Sequence, residues 1–261
     1  MKIAAASSEL PILQPEDLSA ADFTAKLSAY KPDIGVVVAY RILPREVFSI
    51  PAKGCVNLHP SMLPDLRGAA PINWALIRGY RQSGISTFLI RERVDTGSIL
   101  LQETVNIFLE DNAGSLSKRL SIRGGELIVE SLDQIATGKL EPEPQKGTTT
   151  RAPKITDETR RISWKLPAEE IHNLVRGLSP SPCAYTYVGS KRLKIYSSNF
   201  RTGSAQLKPG TVMDLADNSL NISTGEGIFG IEELQLEGRR RMTAEEFQRG
   251  SSITAATVLG E

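Results

Sequence analysis

The spacing of apolar positions changes near residue 139, and the two halves of the chain predict different architectures. Before that point, short apolar runs alternate with helical stripes. PILQP reads as a short strand. In AADFTAKLSAY, Phe23, Leu27 and Tyr30 recur at helical spacing. DIGVVVAY is a continuous Val-rich run, the pattern of a strand buried on both faces of a parallel sheet. LPREVFSIP predicts a short helix that Pro51 stops. GCVNLH predicts the next strand. APINWALIRGY predicts a helix with Pro near its start and Gly79 at its end. GISTFLIRE and SILLQETVNI predict two further strands. Asp111 or Asn112 caps a long helix reaching Ile135, with Leu116, Leu120, Leu127, Leu132 and Ile135 on one side and Gly138 beyond it. This β-α-β order predicts a mostly parallel, Rossmann-like α/β sheet.

Residues 139–156, KLEPEPQKGTTTRAPKIT, carry prolines and threonines but no apolar periodicity, and read as a linker. The expected organisation is a first domain over 1–138, the linker, and a second domain over 157–261. PAEEIHNLVRGL sets Ile171, Leu174, Val175 and Leu178 on one helical stripe. CAYTYVG, RLKIYSS, GTVMDLA, SLNIST and IFGIEELQLE then follow as short strands with Gly and Asn turns, which predicts a small β-barrel. GEGIFG, residues 225–230, matches a dinucleotide-binding string. No helix opens after it to receive a pyrophosphate, so it reads as a hairpin turn.

Composition narrows the function classes. The chain has 261 residues, 40% apolar and 23% charged, with net charge +1. No apolar run approaches the roughly 18 residues that span a bilayer, and the N-terminus lacks the apolar core of a secretory signal. Cys55 and Cys183 form no CxxC motif, so a cytoplasmic, reducing compartment is expected. From Arg151 onward 15 basic residues face 13 acidic ones, so charge alone does not predict a nucleic-acid partner. Short basic clusters occur at Arg160-Arg161, Lys191-Arg192 with Lys194, and Arg239-Arg240-Arg241.

Candidate chemistry sits in GCVNLHPSMLPDLRGAAPINW. Residues two apart on a strand share a face, so Asn57 and His59 project together at the end of their strand. In open α/β sheets that end is where ligands bind. Two converging donors suit an oxygen that becomes negative during reaction. Pro60 and Pro64 stiffen the loop that follows, and Gly68 lets backbone approach a ligand. Asp95, in RVDTGSIL, falls in a turn between two strands, where Asp-x-Gly is also ordinary turn chemistry. With His59 and His172 as the only histidines, a multi-His metal site is excluded, and no metal is expected.

NLHPSMLPDLRGAAPI followed by VDTGSIL resembles the formyltransferase family that uses 10-formyltetrahydrofolate. VVVAYRILP is similar to the family's folate-site strand and loop. RISWKLPAEEIHNLVRGLSPSPCAYTYVG resembles the start of an OB-like C-terminal domain that helps hold tRNA. The resemblance implies Asn57, His59 and Asp95 as the catalytic set, with Ser61, Met62, Leu63 and Pro64 touching the folate. It implies formylation of the α-amine of methionyl initiator tRNA by a monomer, with no membrane partner. An amino-sugar nucleotide formyltransferase shares these motifs and is the alternative, beside an inactive fragment that retains an RNA-binding barrel. The resemblance also implies roughly 60 residues, about two β-α units, ahead of Met1. DIGVVVAY would then lie at an open edge with an uncovered apolar face. AYRILP is one residue shorter than the usual family loop, and Met62 stands where Leu is common.

Overall fold

The computed structural model describes residues 2–204, 207–216, 218–250, 253 and 255–260. Its first sheet contains β1 (Gly35–Val38), β2 (Cys55–His59), β3 (Gln82–Leu89) and β4 (Ile99–Asn106), in that spatial order. Around it lie α1 (Lys2–Ser7), α2 (Ala21–Ala29), α3 (Arg45–Phe48), α4 (Pro71–Ile77) and α5 (Ala113–Ala136). The second sheet contains β5 (Ala184–Val188), β6 (Lys191–Arg201), β7 (Val212–Ala216), β8 (Ser219–Ser223) and β9 (Ile228–Leu236), with β10 (Met242–Thr243) paired to β9. Three more helices complete this half: α6 (Asp157–Arg160), α7 (Ala168–Leu178) and α8 (Ala244–Arg249).

The first sheet is α/β but mixed, which corrects the mostly parallel expectation. β1 and β2 are parallel, whereas β2–β3 and β3–β4 are antiparallel. β3 and β4 are joined by the helix-free segment 90–98, and such a connection yields an antiparallel pair. The seven-residue α4 is about 10 Å long. Instead of crossing over the sheet, it packs chiefly on α7. PILQP is irregular rather than a strand, because Pro11 and Pro15 lack the ladder donor.

β1 is an edge strand of the first sheet, and Val36 and Val38 are 46% and 38% exposed. Asn112, not Asp111, caps α5: its side chain accepts from the Ser115 amide, and Ser115 reciprocates. Asp111 pairs with Arg119 instead. Leu116, Leu120 and Leu127 of α5 then bury with Leu76, Ile85 and Val105. In the second half, the predicted stripe Ile171, Leu174, Val175 and Leu178 packs with residues such as Leu193, Ile222 and Phe229 of the antiparallel sheet. GEGIFG joins β8 to β9 as the predicted hairpin turn, with Gly227 at φ +84°.

The two halves meet where α4 crosses α7. The Asn73 side chain donates to the Gly177 carbonyl at 2.7 Å. A Cβ on Gly177 would lie 2.7 Å from Ile77 Cγ1 and 3.1 Å from the Asn73 carbonyl oxygen. Gly177→Val is therefore expected to lower the unfolding free energy by about 1–3 kcal/mol, the usual range for overpacking. Equilibrium denaturation checks this.

Candidate active site

β2 delivers Asn57 and His59 from one face, opposite Phe88 and Ser86 of β3. Asn57 lines a cleft of about 110 Å³ with Asp95, Val37, Tyr40, Ile42 and Phe88. Its side-chain amide has no hydrogen-bond partner among the described residues. An apolar cavity of about 520 Å³ adjoins the cleft and shares Val37, Tyr40 and Leu43 with it. Together they offer apolar walls for a flat ring system and a polar end where Asn57 and Asp95 are joined by Arg41, Arg91 and Glu92, the usual composition of a small-molecule site.

His59 is 4% exposed and does not line the cleft. Its Nε2 lies 3.0 Å from the Leu66 carbonyl oxygen, and its Nδ1 lies 3.8 Å from Asp95 Oδ2. A carbonyl only accepts, so the Nε2 hydrogen bond places the proton there. The Nδ1 lone pair of the neutral ring then faces the carboxylate. Burial pushes the imidazole below its ordinary value near 6.5, while the Asp95 charge and the Leu66 carbonyl pull it back up.

Asp95 sits in the turn after β3 with φ +54°, the left-handed region that non-glycine residues seldom occupy. Its Oδ2 accepts from the Gly68 amide at 2.9 Å. Gly68 itself has φ +128°, and a Cβ there would lie 2.5 Å from the Ala152 carbonyl oxygen. The glycine thus permits close approach of two protein segments, where the sequence suggested approach to a ligand.

The fold brings Asn57, His59 and Asp95 together, but it turns the Ser61–Pro64 loop away. Ser61, Leu63 and Pro64 are buried. Ser61 Oγ donates to the Asp65 carbonyl at 2.6 Å, and the Leu63 amide donates to Ser86 Oγ at 3.0 Å. Gln102 Nε2 donates to the Leu63 carbonyl at 3.0 Å. Met62 packs over Gly84. None of these four residues lines the Asn57 cleft. The physical reason is that the loop folds back onto β3 and β4, which satisfy its polar groups. Tyr40, Arg41, Ile42 and Leu43 line the cleft instead.

Three contributors were missed by sequence reasoning. Gln145 and Thr150, from the segment read as a linker, and Arg67 contact the loop and turn that hold His59 and Asp95. Polar residues in a Pro- and Thr-rich stretch carry no periodic signal, so only their tertiary partners reveal them. The basic clusters are largely engaged internally. Arg160 and Arg192 both reach Asp157, Arg240 pairs with Glu246, and Arg241 pairs with Glu233. Among the described residues, no three His, Cys, Asp or Glu residues could hold a metal ion, and no helix is long and apolar enough to cross a membrane.

Comparison with known proteins places this geometry in a family. Residues 1–132 match the Formyl transferase family, and residues 154–252 match its Formyl transferase, C-terminal domain. A methionyl-tRNA formyltransferase of Thermodesulfovibrio yellowstonii is 45% identical over 245 residues, covering 94% of this chain and 79% of the relative. The solved methionyl-tRNA formyltransferase of Clostridium thermocellum superposes with a TM-score of 0.59 at 21% identity, covering 78% of this chain and 88% of that one. HypX of Aquifex aeolicus, solved in complex with tetrahydrofolic acid, superposes with a TM-score of 0.65 at 23% identity, covering 86% and 40% of the two chains. At those identities the structural likenesses establish the shared fold, while the sequence match over nearly the whole chain is much closer. On that match, the chain belongs to the methionyl-tRNA formyltransferase family.

Proposed function

We propose that this chain transfers the formyl group of 10-formyltetrahydrofolate to the α-amine of methionyl initiator tRNA, the step that prepares the initiator for translation. The observation that carries the reading is the convergence of an unpartnered amide, Asn57, and a carboxylate, Asp95, on one cleft, with His59 next to that carboxylate. The relatives' name supplies the methionyl-tRNA acceptor, and HypX of Aquifex aeolicus, solved with tetrahydrofolic acid, supports a folate donor.

The nucleophile is an amine with an unperturbed pKa of roughly 7.7–8.0, so part of it is uncharged at neutral pH. Its nitrogen bonds to the formyl carbon, and the formyl oxygen takes up negative charge. The Asn57 amide donates to that oxygen. As the oxygen's electron pair re-forms the C=O bond, the bond from carbon to the folate nitrogen breaks, and that nitrogen takes up the proton that the amine releases. The amine's proton goes to Asp95, directly or through a water. His59, its neutral Nδ1 turned to Asp95 Oδ2 at 3.8 Å, is placed to take up that proton from the carboxyl when the two close to hydrogen-bond distance. The sequence placed His59 beside Asn57 as a second oxyanion donor. We assign it to the Asp95 side because its Nε2–H is engaged by Leu66 and the ring does not line the cleft. No step is routed through a metal.

The cleft and the adjoining apolar cavity, walled by Val37, Tyr40 and Leu43, suit the flat ring system of the folate. We place the folate there. Ser61, Met62, Leu63 and Pro64 act by holding the loop rather than by touching the ligand. Residues 1–138 form the catalytic domain, 139–156 the connection, and 157–261 an OB-like barrel that holds tRNA. The protein works as a monomer in the cytoplasm.

Incubation of the chain with 10-formyltetrahydrofolate and methionyl initiator tRNA is expected to yield formyl-methionyl-tRNA. Formylation of a nucleotide-linked amino sugar in place of tRNA would establish the alternative reading. Formylation of neither substrate would overturn both.

A further inference from the structure

The contacts that orient His59 and Asp95 trace back to one stretch of chain, residues 145–152. Of residues 141–150, only Gln145 and Thr150 are turned away from solvent. Gln145 Nε2 donates to the carbonyls of Asp95 and Gly97, each at 2.9 Å. Its Oε1 accepts from Arg67 Nε at 3.1 Å and from Arg67 Nη2. The amide therefore uses both of its donors and accepts twice, and no smaller or charged side chain reproduces that set.

The same stretch fixes the groups around the catalytic pair. The Leu66 amide donates to Thr150 Oγ1 at 2.9 Å, and the Leu66 carbonyl is the partner of His59 Nε2. The Arg67 amide donates to the Thr150 carbonyl at 3.0 Å, and the Ala152 amide donates to the Arg67 carbonyl at 2.7 Å. Those two bonds set the position of the adjoining Gly68 amide, which holds Asp95 Oδ2. Asp95 is thus gripped at its backbone by Gln145 and at its carboxylate through a residue that the same stretch fixes. The grip holds a left-handed non-glycine backbone, a conformation that persists only where its surroundings enforce it.

We infer that Gln145, Thr150 and Ala152 position the catalytic groups rather than merely connecting the two halves, and that Gln145 is a positioning residue holding the Asp95 turn against His59. Gln145 acts through Asp95 and does not touch the reacting atoms. This inference rests on the proposed roles of Asp95 and His59.

The test compares Gln145→Ala, Gln145→Glu and Lys146→Ala in the full chain. Gln145→Glu keeps the length and the Arg67 partner but sets a carboxylate against two carbonyl oxygens, so either Gln145 variant releases the turn. Lys146 is exposed and, among the described residues, pairs only with Glu143 at the surface. Both Gln145 variants are expected to lose roughly tenfold to a hundredfold in kcat, the scale of a displaced catalytic group. KM for both substrates stays within about twofold, and thermal stability falls modestly, as the loss of up to four hydrogen bonds requires. Lys146→Ala is expected to match wild type throughout.

The second readout needs no substrate. The chain has two histidines, so His59→Gln assigns their imidazole proton NMR signals. With Asp95 released, its upward pull on His59 weakens, and the His59 titration is expected to move to lower pH in both Gln145 variants. Wild-type kcat with an unmoved titration overturns the inference. So does a fall in kcat that tracks a fall in thermal stability while the titration stays put, because that is a purely structural role. If one variant fails to fold, the other decides by the same criteria. If the wild-type chain formylates neither substrate, the functional reading fails, and the titration still decides whether Gln145 positions the pair.

Discussion

Asp95→Asn is expected to lower kcat for formyl transfer by about 10²–10⁴, the span of a lost general base. The substitution is nearly isosteric, and the new amide oxygen still accepts from the Gly68 amide that now holds Oδ2 at 2.9 Å. The turn therefore persists, and the loss falls on proton removal. Single-turnover formylation with saturating substrates measures it, and a change of less than about threefold would remove Asp95 from the mechanism. A second effect has a definite sign. Burial already holds the His59 imidazole below 6.5, and the Asp95 charge opposes that shift. Removing the charge lowers the titration further. A buried histidine with a depressed pKa favours the folded state above 6.5, because the unfolded ring takes up a proton that the folded ring refuses. That stability is lost as pH falls from 6.5 through the folded value. Asp95→Asn widens this window, so the His59-linked fall in its unfolding free energy should continue to lower pH than in wild type, at a similar slope, which denaturation at stepped pH reads directly.

Asn57→Ala is expected to reduce kcat by about 10²–10³, or about 2.7–4 kcal/mol of transition-state stabilisation, as for other single oxyanion donors. Because the Asn57 amide has no partner among the described residues, truncation leaves no buried group unsatisfied. Thermal stability should stay close to wild type. That contrast separates Asn57 from a structural residue: a large loss of stability with the loss of activity would mean that the amide serves the fold. Asn57→Asp, which keeps the shape but replaces the donor with a carboxylate, should be at least as inactive as Asn57→Ala.

Much of the secondary structure was legible from local pattern. The runs around Val36, Val56, Ile85 and Leu101 became strands, and the stripes through Leu116 and Ile171 became buried helix faces. Asn57 and His59 were legible because the two-residue period of a strand puts them on one face wherever the strand lies. PILQP was misread because its apolar residues suggested a strand while its prolines forbade one. Strand direction between β2 and β3 was beyond local pattern. It goes with α4 lying against α7 rather than along the sheet, a contact that Asn73 makes with Gly177, 104 residues further along the chain.

What the sequence determined by itself was therefore what depends on neighbours in the chain: periodicity, caps, turns and the pairing of Asn57 with His59 on one strand. What only the tertiary structure decided was which of these residues meet residues distant in sequence. It set Asp95 3.8 Å from His59, buried the Ser61–Pro64 loop away from the cleft, and drew Gln145 into the Asp95 turn. The reason is that a hydrogen bond or ion pair acts over a few ångströms in space whatever the separation along the chain. The polar residues that make such contacts carry no period to announce them.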